Sequence, residues 1–149
     1  MGESNVIRIG RSATKTFIKG IYGSTVSSDV AVYVNSYGKL GTLPSSGRFK
    51  EDIRDMGDAT GGLMKLRPVT FYYKPEYTDG PRRLQYGLIA EEVAEIYPEL
   101  VNYSEDNRPN TVYYQFVNAM LLNEVQKQHR RIEDLEERLA QLEALSGVK

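Results

Sequence analysis

The 149-residue sequence contains no cysteine, no tryptophan and a single histidine, His129. Without cysteine, neither a disulfide nor a thiolate metal site can form. One histidine argues against an imidazole metal site and against a Ser-His triad. No metal and no cofactor are therefore expected. Charge of one sign is also lacking: 19 Lys and Arg face 20 Asp and Glu, a formal net charge of −1. No basic excess points to nucleic acid or to an anionic membrane. There is no apolar run long enough to span a bilayer, and the opening MGESNVIRIG lacks the apolar stretch of a secretory leader. That opening falls abruptly into strand-like sequence, as expected of a segment cut from a longer parent protein. Any chemistry has to come from Ser, Thr, Tyr, Lys, Asp and Glu.

Three regions differ in character. Residues 1–44 are rich in Gly, Ser, Thr and Val, with β-type runs at Val6–Ile9, Thr16–Tyr22 and Val30–Val34. Alternation puts Val30, Val32 and Val34 on one face. Turn residues separate the runs: Gly10, Gly20, Gly23, Ser27-Ser28-Asp29 and Asn35-Ser36-Tyr37-Gly38. So few apolar side chains cannot close a core within one chain. The segment is expected to be the end of a β-rich stalk that needs neighbours, either a larger sheet or identical chains wrapped around it.

Residues 45–110 read as a small α+β unit. Gly57 and Gly61-Gly62 break the mixed-charge stretch from Phe49 to Met64. Val69–Lys74 reads as a strand with Val69, Phe71 and Tyr73 facing one way. Glu76–Arg83 reads as an exposed loop. Leu88–Ile96 reads as an amphipathic helix carrying Ile89, Val93 and Ile96, stopped by Pro98. Asn102–Asn110 reads as a polar loop.

From about Thr111 to Leu145 the sequence is helical, with no internal Gly or Pro. A heptad frame places Val125, Ile132 and Leu139 at one core position and Leu121, Gln128, Leu135 and Leu142 at the other. Asn118 is a second polar core residue. Arg131 with Glu136, and Arg138 with Glu143, stand at g and following e positions. Parallel, in-register chains would bring those charges together. A lone amphipathic helix on a domain surface is the plainer alternative, but three heptads with g/e pairing favour a parallel coiled coil. Residues 111–149 are thus expected to be a coiled-coil helix.

The stretch Ser45-Ser46-Gly47-Arg48-Phe49-Lys50-Glu51-Asp52-Ile53 holds the residues with most chemical potential. Without histidine, a serine can be activated by a neutral lysine, whose ammonium must first shed its proton through burial or nearby positive charge. Arg48 would favour that loss, and Glu51 and Asp52 would oppose it. On spacing alone the pair is unspecific and reads as an exposed turn leading into a charged helix.

Four motifs in order say more: SSGRFKEDI, LMKLRPVTFYYK, GLIAEEVAEIYPELV, and a Tyr-containing lead into a coiled coil. From Ser45 to about Leu145 the chain resembles the intramolecular chaperone domain of endosialidases. That self-cleaving serine peptidase family lies at the C-terminal end of phage tailspikes and tail fibres, with related domains in bacterial surface proteins and eukaryotic membrane-anchored transcription factors. GIYGSTVSSDVAVYVNSYGKLGT looks like the stalk end that precedes such domains. The resemblance implies a Ser/Lys dyad of Ser45 and Lys50, a scissile bond between Pro44 and Ser45, and a homotrimer. Ser46 is the neighbouring alternative nucleophile. The implied product is a trimeric stalk that is aligned by the chaperone and then released from it in a phage virion, after assembly in the bacterial cytoplasm; a bacterial surface protein is the other setting.

Two other functions fit the same residues: a trimerisation domain that is never cut, and a receptor- or glycan-binding fibre tip using the tyrosines and the Glu76–Arg83 loop. Against the latter, Tyr72, Tyr73, Tyr86, Tyr113 and Tyr114 are expected to pack with their hydroxyls satisfied. Glu91 and Glu92, adjacent on a helix, diverge too far to act on one bond. His129 is expected to be structural, and Arg82-Arg83 is too small a basic patch for nucleic acid. The expected partner is the chain itself, with neither nucleic acid nor membrane.

Overall fold

A computed structural model of the chain describes residues 7, 9, 10 and 15–147. Its contacts gather into two units, Met1–Asp52 and Ile53–Lys149.

In the first unit the turn signal at Asn35–Gly38 folds a hairpin. Strand β1 (Tyr33–Val34) pairs antiparallel with β2 (Leu40–Gly41). The Asn35 Oδ1 accepts the N–H groups of Tyr37 and Lys39, both at 3.0 Å. Gly38 takes a φ of 75°, a region open to glycine because it has no Cβ. The Thr16–Tyr22 run forms no ladder, and the Val6–Ile9 run includes Val6 and Arg8, which lie outside the described residues. Every described residue of this unit is exposed, Phe17 by 84% and Val32 by 64%. Of the expected Val30–Val34 run only Tyr33–Val34 is strand.

The second unit is a mixed α/β assembly. Around Gly57 and Gly61-Gly62 the chain makes only single 3-10 turns, Gly57–Thr60 and Leu63–Lys65. Strand β3 (Val69–Phe71) then pairs antiparallel with β4 (Gln85–Gly87), Thr70 opposite Tyr86. The expected alternation holds over Val69–Phe71, where Val69 and Phe71 are half-buried and Thr70 is exposed, but the strand stops short of the expected Lys74 and Tyr73 is exposed. Helix α1 (Ala90–Ile96) follows, its first turn delayed by an extended Ile89 and its end set before Pro98.

The polar loop expected at Asn102–Asn110 and the helix start expected at Thr111 are both corrected. Strand β5 (Val101–Tyr103) and strand β6 (Pro109–Val112) form an antiparallel hairpin, and helix α2 (Tyr114–Ser146) begins only after it. Its turn is closed by Ser104 N–H donating to Arg108 O at 2.9 Å, with Asn107 at a φ of 58°. Only the paired Val101 and Val112 point inward, 5% and 6% exposed. The remaining residues are Asn102, Tyr103, Pro109, Asn110 and Thr111, among which no hydrophobic alternation marks the strands.

Leu63, Val93, Tyr97, Leu100, Val101, Val112 and Met120 make the core. Tyr97 does more than fill space: its hydroxyl donates to Ala59 O at 3.0 Å and accepts from Gly62 N–H at 2.8 Å. A Cβ on Gly62 would lie 2.8 Å from that hydroxyl, so the close approach requires glycine. A polar cluster then ties the 57–60 turn to α2. Thr60, fully buried, donates to Glu124 Oε2 at 2.9 Å and accepts from Asn123 Nδ2 at 2.8 Å. Asn123 also donates to Gly57 O, and Lys127 bridges Asp58 and Glu124 at 3.3 and 3.4 Å. Burial opposes the Lys127 charge, but the two carboxylates outweigh it and its pKa is raised.

Two variants test this packing through the urea midpoint of unfolding. Leu100→Ala, opening a void at a residue 3% exposed, is expected to cost about 2–5 kcal/mol. Thr60→Val, which strips a partner from both Asn123 and Glu124, is expected to cost about 1–3 kcal/mol. Because the Lys127 pKa is raised on folding, its contribution is complete below the ordinary lysine range and fades as pH rises through the folded value. In Lys127→Met that alkaline loss should be smaller; an unchanged alkaline profile would show that the bridge contributes nothing.

Candidate active site

Local backbone chemistry brings Ser45 and Lys50 together. Ser46 is extended, at φ −63° and ψ 137°, and leads into a 3-10 turn at Gly47–Phe49. Phe49 N–H donates to Ser46 O at 3.1 Å and Lys50 N–H to Gly47 O at 3.0 Å. The turn reverses the chain enough for Lys50 Nζ to reach back and donate to Ser45 Oγ at 3.2 Å. That lies within the reach needed for proton transfer between a nucleophile and a base. Arg48 turns its guanidinium onto the Phe49 ring, 4.6 Å from the centroid. Pro44, Ser45, Ser46, Lys50, Glu51 and Asp52 are all exposed in the single chain.

The heptad residues occupy another part of the chain. Within the second unit, α2 turns Val117, Met120, Asn123, Glu124 and Lys127 toward its own domain. Leu121, Val125, Gln128, Ile132, Leu135, Leu139 and Leu142 lie on a different face, and all are exposed. From Gln128 to Gly147 every residue is exposed. Arg131 pairs with Asp134 at 3.2 Å and His129 lies 3.5 Å from Glu133, contacts along the helix surface. No helix among the described residues is long and apolar enough to cross a membrane.

The tyrosines divide. Tyr113 OH accepts from Asn102 Nδ2 at 3.0 Å and Tyr114 OH from Leu88 N–H at 2.8 Å, as expected of packing residues. Tyr72, Tyr73 and Tyr86 correct the expectation: among the described residues their hydroxyls have no hydrogen-bond partner, whereas that of Tyr114, itself 47% exposed, has one. Tyr86 opposes Thr70 on the outward face of β3–β4, and Tyr72 and Tyr73 lie just beyond Phe71, where strand pairing ends. Glu92 is engaged by Arg67, whose Nε donates to Oε2 at 3.2 Å, so it serves the surface of α1.

Residues 45–102 match the family model Peptidase_S74, described as chaperone of endosialidase. The resemblance read from the motifs holds over this span. The match begins at Ser45 and ends at Asn102, before β6 and α2. No curated protein matches the chain. This segment therefore has the character of an intramolecular chaperone from a peptidase family.

Sequence reading missed Thr60, Asn123, Glu124 and Lys127. Their only signal was polar residues on the helix face beside Val117 and Met120, a pattern shared with any solvated face.

Proposed function

We propose that the chain aligns three copies of a fibre stalk and then frees it by one cut between Pro44 and Ser45. The observation that carries this reading is Lys50 Nζ at 3.2 Å from Ser45 Oγ, at the first residue of the matched segment. Ser45 Oγ attacks the Pro44 carbonyl carbon through a five-membered ring while Lys50, as a neutral amine, takes the hydroxyl proton. Lys50 returns that proton to the leaving Ser45 nitrogen as the peptide C–N bond breaks. An ester now joins Pro44 to Ser45 Oγ. Water hydrolyses it, leaving a carboxylate on Pro44 and restoring the Ser45 hydroxyl. The reaction occurs once, in cis.

A lysine acts as a base only when burial or nearby positive charge has removed its proton. The dyad contact is already made in one chain, so what assembly adds in this reading is burial rather than alignment. Three packed copies would exclude water from a site that is exposed in one.

Self-association is supported by the unpartnered apolar face of α2, where Val125, Ile132, Leu135, Leu139 and Leu142 are 59%, 52%, 46%, 56% and 63% exposed. A contiguous face of this kind marks an interaction surface, and its heptad spacing fits parallel copies of itself. Three copies rather than two follow from the family resemblance. The helix would hold the chains at high effective concentration while Gly/Ser/Val strands, whose register is weakly specified, find their pairing. Cutting then removes the nucleus and leaves the stalk kinetically trapped. The setting in this reading is a phage tail fibre or tailspike.

Denaturing mass spectrometry should find fragments 1–44 and 45–149 in the wild type, and intact chain in Ser45→Ala and Lys50→Ala. A cut elsewhere, or one blocked by Ser46→Ala but not Ser45→Ala, would refute the assignment. An intact wild type would leave an uncleaved trimerisation domain.

Light scattering of Ser45→Ala should give about three chains per particle, the number that the family resemblance implies and that heptad spacing alone does not fix. Leu135→Asp/Leu139→Asp, which buries unpaired charge in the proposed seam, should neither trimerise nor cut. Full cleavage in a monomeric double variant would show that one chain suffices for the reaction.

A further inference from the structure

The connection between β3 and β4 is longer than strand reversal requires. Phe71 and Gln85 are paired, and residues 72–84 run between them, where about two to five residues would close a hairpin. Long ordered connections of this kind more often carry binding than mere linkage. This one is folded on itself. Pro75–Tyr77 forms a 3-10 turn, with Tyr77 N–H donating to Lys74 O at 2.9 Å. Gly80 N–H donates to Thr78 Oγ1 at 3.4 Å, and the Arg82 guanidinium lies 4.2 Å from the Tyr72 ring centroid.

The fold of the connection leaves a cleft of about 450 Å³ lined by Tyr72, Tyr73, Lys74, Pro75, Thr78 and Arg82. That volume is in the range of small-ligand sites, roughly 300–1,000 Å³. Its chemistry is specific. Two tyrosines, 45% and 57% exposed, supply apolar ring faces with hydroxyls at their edges. Lys74 and Arg82 supply positive charge, and no acidic residue lines the cleft. No Leu, Ile, Val, Met or Phe lines it either, so it offers no aliphatic anchor for a peptide side chain.

We infer that the cleft binds an acidic saccharide, its ring laid on a tyrosine face and its carboxylate held by Lys74 and Arg82. A pyranose ring has one face of C–H groups and a rim of hydroxyls, which the tyrosine faces, their hydroxyls and the Thr78 side chain complement. A carboxylate suits the guanidinium, which keeps its N–H donors while its plane stacks on Tyr72. The inference is independent of the proposed self-cleavage, since none of these residues belongs to the Ser45–Lys50 pair.

The test is an NMR titration of the whole chain carrying Ser45→Ala, so that the sample is one species whether or not the chain cuts itself. Glucuronate should shift the amides of residues 72–82, while glucose and acetate should each bind at least about tenfold more weakly, because each lacks half of the recognition. Arg82→Gln and Lys74→Gln, on exposed side chains, should each weaken glucuronate about tenfold while leaving the rest of the spectrum in place. Tyr72→Phe should retain binding, and Tyr72→Ala should lose it. No perturbation at about 50 mM glucuronate, well above a millimolar Kd, would overturn the inference. So would acetate binding as well as glucuronate, an aspartate-containing tripeptide binding more tightly, or indifference to Arg82→Gln.

Discussion

Thr60 is fully enclosed, and its hydroxyl stands between Asn123 and Glu124 on the long helix. A buried hydroxyl without partners is costly, so this turn and this face of α2 are bound to each other. With Met120 and Val117 beside them, they fix which way the helix faces. The consequence lies on the neighbouring face. Leu121, Val125 and the heptad residues beyond them cannot also turn inward, because the helix has only one rotation about its axis. From Gln128 onward there is no domain left to pack against, and the helix runs on fully exposed to Ser146. A structure of this kind satisfies itself at one end of the helix and leaves the other end exposed.

The Ser45–Lys50 contact depends on a different scale of interaction. Two backbone hydrogen bonds of a 3-10 turn set it, Phe49 N–H to Ser46 O and Lys50 N–H to Gly47 O. Nothing in the core is needed to bring the two side chains within 3.2 Å. Proximity and reactivity are therefore separable. Proximity is encoded in six consecutive residues, whereas the loss of the lysine proton that the proposed reaction requires needs a change of environment. A site that is aligned early and dried late would be restrained until assembly, which is the order a folding aid requires.

The first unit and the exposed tyrosines are exposed in different settings. In residues 15–52 every side chain is solvent-facing. At Tyr72, Tyr73 and Tyr86 the same observation means something else. Tyr72 and Tyr73 sit beside Lys74 and Arg82 on a connection held by its own hydrogen bonds, and Tyr86 lies on the outward face of the β3–β4 pair.

The sequence alone determined the elements whose signal is local or periodic. The Asn35–Gly38 turn, the β3 alternation, α1 before Pro98 and the glycine-broken stretch from Phe49 to Met64 all rest on backbone preferences of a few residues, and the structure has them. The first three of the ordered motifs likewise lie in the span that the chaperone-of-endosialidase model matches, Ser45 to Asn102. The β5–β6 hairpin was illegible because only Val101 and Val112 face inward, too few to show a period. Only tertiary structure could decide that Thr60, Gly62 and Tyr97 form one joint with α2, since their partners lie 35 or more residues away. It alone decided which tyrosines pack and which face water, because the chemistry of a tyrosine is the same in both places. Local sequence sets torsions and periods; burial, and the polar pairing that burial enforces, exist only once distant segments meet.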